Sequence, residues 1–446
     1  MTAPLLAAID RSRITPMMLQ YIEQKEAMPD CLLFFRLGDF YEMFFDDAVV
    51  VSSELDLALT GRDCGLEERA PMCGVPYHAA DTYIARLVAR GYKVAVCEQV
   101  EDPALAKGLV RREIVRVVTP GTVTDLTALD EKRNNFIVSI YRIGPYFGIA
   151  AADLTTGGLE AATLADGDPE ALLMDQIARY QPSEILCNQA LTEAGVASQI
   201  KTRAGTSASV RPDGQYSHEQ AEQLFPGLGG DSAPWGPAAA ALMLYLEETQ
   251  RRMPEHMRAI RIFGADEYMA IDPVARRNLE IVETLRDQSR RGSLLWVLDR
   301  TQTSMGGRMI RRWIEQPLMH TAEITRRLDA VGELKDRFLL RQELIEALHG
   351  MGDIERLTGK ASLGSIHARD LLSLRNALNR VPYLFERMEP CKTPLLSTLR
   401  DDADPLDDIR TLLAQSIADE APLQLKDGNI IRPEYNEEVD RLRAAS

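Results

Sequence analysis

The chain has 446 residues, which is enough for two to four domains that each bury their own core. It is 45% hydrophobic and 26% charged, as in ordinary globular proteins, and no apolar run reaches the roughly 18 residues that a membrane span requires, so no membrane partner is expected. The first residues lack the features of a signal peptide, and the six scattered cysteines fit buried thiols better than a disulfide framework, so a cytoplasmic protein is predicted.

The net charge of −16 argues, by composition alone, against nucleic-acid binding. The charge is unevenly distributed, however. Residues 84–116 carry seven Lys/Arg against four Asp/Glu, whereas residues 401–446 carry five against twelve. The acidic excess is therefore partly remote from the amino-terminal region.

The segment 31–42 contains the first candidate site. The apolar run Leu32-Leu33-Phe34-Phe35, which leads into Arg36-Leu37, predicts a buried strand over 31–37, and the turn-forming residues Gly38 and Asp39 end it. If the backbone beyond the turn is extended, Phe40 and Glu42 project from the same face. An aromatic ring and a carboxylate in this arrangement could enter a base stack and hydrogen-bond a base edge. The alternative interpretation of Phe40 is a core aromatic residue at a strand end.

The first 125 residues as a whole predict a mixed α/β unit. Thr15 is a good N-cap for a helix that begins at Pro16. Further helices are predicted over 46–56 and from about Asp81 to Gly91, and strands over 93–100 and 113–118.

A linker over 125–134 precedes a second α/β unit. Strands are predicted over 136–142, 146–153 and 184–187, with a hairpin turn at 143–145 and a helix over 172–180. Residues 204–234 are typical of loop or surface helix. The order strand, strand, helix, strand indicates a sheet covered by helices.

From about residue 236 the apolar spacing becomes helical. Helices are predicted around Leu242 and Leu246, from Pro273 through Leu285, from Leu328 to Phe338, and over 371–381 and 406–413. A last stripe of Tyr435, Val439 and Leu442 stops at Ser446 after about three turns, a length at which an isolated helix is marginal.

Motifs spread along the chain resemble the MutS family of DNA mismatch-recognition proteins. They are Thr15-Pro16-Met17-Met18, the segment 38–42, Pro71-Met72-Cys73-Gly74-Val75-Pro76-Tyr77-His78, Val96-Cys97-Glu98-Gln99, Val117-Val118-Thr119-Pro120-Gly121-Thr122, Leu298-Asp299-Arg300-Thr301, Met305-Gly306 and Arg312-Trp313. Their order and spacing extend the resemblance over essentially the whole chain.

The resemblance implies a multidomain fold that combines α/β units with an all-α region. It implies a mixed α/β mismatch-recognition domain over 1–125, a ribonuclease-H-like α/β connector over 132–258 and a helical core or lever over 264–446, incomplete and ending at the start of the clamp arm. The family's clamp and ATPase domains are not in this sequence, so the chain looks truncated and no enzyme activity is expected. The full-length family uses ATP and magnesium, whereas no cofactor or metal is expected in this chain.

The resemblance also assigns roles to particular residues. Phe40 stacks on a mispaired or looped-out base, Glu42 hydrogen-bonds it, and Arg62 and Arg112 contact the DNA backbone. The implied function is mismatch recognition in post-replicative DNA repair. The implied partners are mismatched double-stranded DNA, a MutL-type protein bound through the connector, and a second subunit in the full-length family.

The residues alone leave two other functions possible. A metal-dependent nuclease could be built on Asp153 in the second unit, but two-metal hydrolysis needs several convergent carboxylates, and only Glu184 stands near on a predicted strand. A capping role for Asp153 ahead of Thr155 is the favoured interpretation. A protein-interaction scaffold without a DNA role is the second alternative.

Two further motifs are interpreted as structural. His78 has no second ligand at metal spacing, and no Cys-x-x-Cys pair occurs in the sequence. Gly359-Lys360 fails the phosphate-loop pattern, because Ile354 stands where the first glycine belongs and Ala361 follows the lysine. We therefore expect no ATP binding there.

Overall fold

The computed structural model describes residues 11, 13–66, 68–101, 108–125, 128–228, 233–264, 267–422 and 427–445. Within them the chain forms two mixed sheets of six strands each and then a region that is mostly helical. This is the α/β plus all-α architecture that the sequence predicts.

The first sheet unit spans the first quarter of the chain. Its strands are β1 (Cys31–Leu37), β2 (Phe40–Phe44), β3 (Thr60–Arg62), β4 (Ala70–Pro76), β5 (Lys93–Gln99) and β6 (Arg112–Val118), and its helices are α1 (Pro16–Ala27), α2 (Phe45–Leu55) and α3 (Ala80–Ala89). The strand order is β3-β4-β2-β1-β5-β6, with β1 antiparallel to β2 and parallel to β5.

Helices cover both faces of this sheet. On one face α2 and α3 pack over Phe34 and Met43. On the other, Tyr21 of α1 contacts the rings of Phe35 and Phe44. A strand that is covered on both faces is apolar along its buried positions, which explains the apolar run from Cys31 to Phe35, before the less buried Arg36.

The second sheet unit follows the linker. Its strands are β7 (Ile137–Ile143), β8 (Tyr146–Asp153), β9 (Gly158–Leu164), β10 (Glu184–Cys187), β11 (Ala208–Val210) and β12 (Arg261–Ile262), and its helices are α4 (Pro169–Tyr180), α5 (Gln189–Glu193), α6 (Val196–Ala204), α7 (His218–Leu224) and α8 (Trp235–Gln250). The strand order is β11-β10-β7-β8-β9-β12. Helix α8 lies close on β8, where a Cβ at Gly148 would stand 1.8 Å from the carbonyl oxygen of Pro234.

The helical region completes the described chain. It contains α9 (Pro273–Asn278), α10 (Leu294–Leu298), α11 (Ser304–Glu315), α12 (Thr321–Asp336), α13 (Phe338–Leu348), α14 (Ile354–Ser362), α15 (Ala368–Leu378), α16 (Val381–Met388), α17 (Pro394–Asp401), α18 (Asp407–Ser416) and α19 (Glu437–Ala445). Among the described residues, no helix combines the length and apolar character needed to cross a membrane.

Several predicted elements differ from the structure. Strand β9 was not predicted, and the helix from Pro273 ends at Asn278 instead of Leu285, since Glu280 adopts a left-handed backbone at φ +48°. The helix around Leu328 ends at Asp336, and Leu328 itself is 62% exposed, so its apolar stripe is only partly a core face.

The six cysteines are buried free thiols, as predicted. Their burial is consistent with their scattered positions in the sequence. Thr15 occupies the predicted N-cap position of α1, but its side chain makes no capping hydrogen bond.

Gly359 is a packing residue, not part of a phosphate loop. It lies inside α14, and Lys360 donates a hydrogen bond to Asp370 at 3.0 Å. A Cβ at Gly359 would come within 2.2 Å of the carbonyl oxygen of Thr155, in the turn between β8 and β9. The absence of a side chain therefore lets the helical region touch the second sheet.

We expect Gly359→Ala to destabilise the junction between the second sheet and the helical region by about 1–3 kcal/mol, because the new methyl group overlaps a backbone atom. Thermal unfolding measures the effect. Gly332→Ala is the matched control, since Gly332 is also inside a helix but has no atom within 4 Å of its added Cβ, and it should gain up to about 1 kcal/mol. Equal stability of the two variants would contradict the packing role.

Candidate nucleic-acid interface

A two-residue hairpin presents Phe40 to solvent. Leu37 pairs with Phe40 across the turn, in which Gly38 has φ +59°, a left-handed conformation that glycine adopts without strain. The Phe40 side chain is 46% exposed. The interpretation of Phe40 as a core aromatic is therefore wrong.

Glu42 projects from the same sheet face as Phe40, as the sequence predicts. The exposure of successive side chains along β2 alternates over Phe40, Tyr41 and Glu42, and Glu42 lies directly opposite Phe35 on β1. Farther along β2 the same face is covered at Phe44 by Tyr21 of α1. Phe40 and Glu42 thus occupy the part of the face that α1 leaves open.

Arg62 reaches Glu42 from two strands away. Its Nη1 donates a hydrogen bond to Glu42 Oε2 at 2.6 Å, and the Arg62 side chain remains 39% exposed. On the intervening strand β4, Gly74 pairs with Glu42, and a Cβ added there would stand 3.5 Å from Glu42 Cγ. The structure therefore joins three of the predicted site residues on one surface.

Arg112 lies on the same face but is buried. Its Nε donates to the carbonyl oxygen of Arg36 at 2.6 Å, and its Nη1 donates to Val110 O at 2.8 Å and to Gln20 Oε1 at 3.1 Å. The guanidinium carbon is 5.3 Å from the centre of the Phe35 ring. In this arrangement Arg112 fastens the end of β1, and its contact with the DNA backbone stays a prediction.

Burial lowers the pKa of the Arg112 guanidinium, and the positive charge of Arg62 lowers it further. A second positive charge in this part of the face favours the binding of an anion nearby.

The opposite face of the hairpin is held by residues that sequence reasoning missed. The Tyr41 hydroxyl donates to Glu98 Oε1, and the Arg36 guanidinium lies over the Tyr77 ring at 3.8 Å. Burial and the Glu98 charge raise the pKa of Tyr41 above its usual range. These contacts fix β2 against β5, so the hairpin has a rigid base. In the sequence, the only indication that these residues matter was that Tyr77 and Glu98 lie in motifs shared with the MutS family.

Asp153 is committed to capping, as the sequence favours. Its carboxylate accepts hydrogen bonds from the Thr155 hydroxyl at 2.7 Å, from the Thr155 amide at 3.0 Å and from Asn134 Nδ2 at 2.7 Å. Glu184 accepts instead from the hydroxyls of Thr119 and Tyr245, each at 2.6 Å.

Asp153 and Glu184 also lie on opposite faces of the sheet. Glu184 aligns through Ile137 with Ala152, so its side chain shares a face with Ala152, and Asp153, the next residue, points the other way. No group of three or more His, Cys, Asp or Glu that could hold a metal occurs among the described residues, where His78 is exposed. The residues that would form a nuclease site are thus not brought together.

An exposed aromatic on a braced hairpin, beside a carboxylate and the half-exposed arginine that pairs with it, defines a surface of the kind that proteins insert into a DNA groove. Models of the three successive MutS domains match the chain, domain I at residues 15–127, domain II at 135–258 and domain III at 274–445. The chain therefore belongs to the MutS family.

Curated relatives agree with this assignment. The DNA mismatch repair protein MutS of Ruminiclostridium cellulolyticum is 49% identical over 443 residues, which is 97% of this chain and 50% of the relative. The proteins of the same name from Acetivibrio thermocellus and Lachnoclostridium phytofermentans are 49% and 45% identical, over 97% of this chain and 51% and 47% of their own lengths. The chain spans about half the length of the curated relatives it matches.

Proposed function

We propose that this chain recognises mispaired or looped-out bases in double-stranded DNA, as part of mismatch repair. The observation that carries the proposal is the exposed Phe40 at the tip of a braced hairpin, with Glu42 on the same face. Membership of the MutS family supports it.

In the proposed mechanism, the protein discriminates between duplexes by how easily the DNA kinks at the contacted step. Insertion of an apolar side chain unstacks a base step and kinks the duplex, at a cost of about a few kcal/mol. A mispaired step is already poorly stacked and costs less to kink. Phe40 then stacks on the mispaired base and Glu42 hydrogen-bonds its edge, so discrimination arises mainly from deformation.

The charge of Glu42 is compensated by Arg62 in the free protein. The 2.6 Å ion pair keeps the carboxylate in place, while the exposed side of the arginine is available for a phosphate. Arg62 thus contributes affinity without sequence preference, and Arg112 supports the strand end behind the hairpin.

The remaining family properties are part of the same proposal. We assign residues 1–125 to mismatch recognition, 132–258 to a ribonuclease-H-like connector that binds a MutL-type partner, and 264–446 to the lever. ATP and magnesium use, and the pairing of two subunits, belong to the full-length family, and the chain itself binds no cofactor and works in the cytoplasm.

The direct test compares two fluorescent duplexes that differ only in one central mispair. Binding of the chain to each is measured by anisotropy at low salt, because phosphate contacts weaken steeply as salt rises. We expect tighter binding to the mispaired duplex. Equal affinities would contradict mismatch recognition, and magnesium-dependent cleavage of either duplex would favour the nuclease.

Glu42→Gln should tighten binding to the paired duplex about 3- to 10-fold, since it removes a carboxylate near the phosphates and releases Arg62. The preference for the mispair should decrease. Glu113→Gln is the control, because Glu113 also pairs with an arginine, Arg111, but projects from the opposite face. Unchanged affinity of Glu42→Gln for paired DNA would place Glu42 away from the backbone.

Arg62→Gln should weaken binding to both duplexes by a similar factor and reduce the slope of log K against log salt by about 1, as expected for one lost phosphate contact. A salt titration measures both quantities. Arg86→Gln on α3 is the control, since α3 covers the other face of the sheet and the variant should leave the slope unchanged. A loss confined to the mispaired duplex would show instead that Arg62 acts through Glu42.

A further inference from the structure

A cleft of about 730 Å³ lies between the second sheet unit and the helical region. One wall is formed by the end of α4, residues 181–183 and the end of α6, and the other by α9 and the irregular segment that follows it. None of its lining residues belongs to the first sheet unit, so the cleft is separate from the hairpin surface described above.

Arginines dominate the charge of the cleft. Arg133, Arg203, Arg276 and Arg277 line it, against Glu283 as the lining carboxylate. Within the described part of the chain, Arg203 and Arg277 form no ion pair, and the Arg133 guanidinium donates only to Gln181 Oε1, at 3.3 Å. In a chain with net charge −16, such a local excess of positive charge attracts anions into a concave site.

The back of the cleft holds a buried arginine with spare donors. Arg276 is 7% exposed, and its Nη2 donates to the Glu315 carbonyl oxygen at 3.3 Å. Its Nε and Nη1 make no hydrogen bond among the described residues, although Glu315 Oε1 lies 3.4 Å from Nη1. Because both atoms are closed to solvent, Arg276 acts on a ligand in the cleft through its positive charge and not through these donors.

The cleft also has an apolar component that a phosphate would not use. Met174, Ile177 and Val282 are buried in its lining, and Leu285 is 49% exposed at its edge. The edge is held in shape, since the Leu285 amide donates to Glu280 Oε1 at 2.6 Å. The apolar residues at the bottom of the cleft and the arginines along its walls together match a ligand that carries both carboxylates and an apolar side chain.

We propose that this cleft binds an extended acidic segment of a partner protein, with its carboxylates on Arg203 and Arg277 and an apolar side chain against Leu285. The observations favour a peptide over DNA, because a duplex presents phosphates on a rigid convex surface and has no apolar group to place in the cleft. The site does not depend on mismatch recognition, since it shares no residue with the hairpin surface.

The test uses a fluorescein-labelled twelve-residue peptide of alternating glutamate and leucine, and the same peptide with glutamine in place of glutamate. Anisotropy should show saturable binding of the acidic peptide to the chain at low salt. R203Q/R277Q should weaken it at least tenfold, and Leu285→Ala should weaken it about threefold or more with little effect on its salt dependence. The glutamine peptide should bind at least tenfold more weakly than the acidic one.

The matched control is R86Q/R251Q, which removes the same charge from two exposed arginines that form no ion pair among the described residues and do not line the cleft. It should leave peptide binding unchanged. Equal losses in the two double variants, no binding of the acidic peptide, or a single-stranded oligonucleotide that competes equally well and is insensitive to Leu285→Ala would each overturn the proposal. Thermal unfolding of every variant separates lost binding from lost folding.

Discussion

Phe40→Ala should abolish the preference for mispaired DNA and change binding to paired DNA little. The reason is that the ring is half-exposed and lies outside both core clusters of the sheet, whereas its stacking on an unstacked base is worth about 1–3 kcal/mol, or roughly 5- to 150-fold in affinity. The anisotropy comparison of the two duplexes measures the loss.

The chain provides a closely matched control for this variant. Tyr146 begins the second strand of another two-residue hairpin, pairs with Ile143 as Phe40 pairs with Leu37, and is 45% exposed. Tyr146→Ala should leave both affinities unchanged. Equal weakening of both duplexes by Phe40→Ala, together with lower thermal stability, would show that the ring serves the fold and not the DNA.

The sequence predicts strands β1, β5 and β6 of the first unit because their apolar runs are long, and strong turn residues mark the end of β1. Gly38 and Asp39 mark the hairpin, and the alternation that follows places Phe40 and Glu42 on one face. Phe35 and Phe44 lie on the same face as Glu42, as this alternation requires, and both are buried there under α1. Local chemistry is sufficient there, since the turn type and the pleat decide the direction of each side chain.

The features that sequence reasoning missed depend on contacts between distant segments. The ion pair of Glu42 with Arg62 requires β4 to lie between β2 and β3, which no local signal fixes. The burial of Arg112 depends on the carbonyl of Arg36, 76 residues earlier. Strand β9 was missed because its alternation is weak, and its residues are buried mostly by packing from both sides.

In the helical region, the sequence-based prediction of a helix is wrong for a different reason. Apolar spacing predicts a helix through Leu285, but the left-handed residue Glu280 and its side-chain hydrogen bond to the Leu285 amide end regular structure early. That irregular segment forms one wall of the arginine-lined cleft. The segment that departs from the helical pattern is therefore the one that lines the proposed peptide-binding cleft.

A buried ion pair lies beside the end of β2 that is farther from the hairpin turn. Lys25 Nζ donates to Asp47 Oδ1 at 2.9 Å, and Asp47 Oδ2 also accepts from the Leu33 amide at 3.0 Å and from the Tyr21 hydroxyl at 3.3 Å. Burial raises the pKa of the Asp47 carboxyl, and the Lys25 charge opposes that rise. The network ties α1, β1 and the start of α2 together, next to the point where β2 ends at Phe44.

Asp47→Ala should destabilise the first sheet unit by about 3–5 kcal/mol, because it leaves the Lys25 ammonium buried without its partner. Hydrogen exchange of peptides from 31–45 reports this unit separately from the rest of the chain. Asp46→Ala, at the neighbouring partly buried position, should change protection little. Replacing both partners, as Lys25→Met with Asp47→Leu, should recover most of the protection, since no charge then remains buried. A double variant no better than Asp47→Ala would show that the hydrogen bonds to Leu33 and Tyr21, and not the charge pair, stabilise the base of the hairpin.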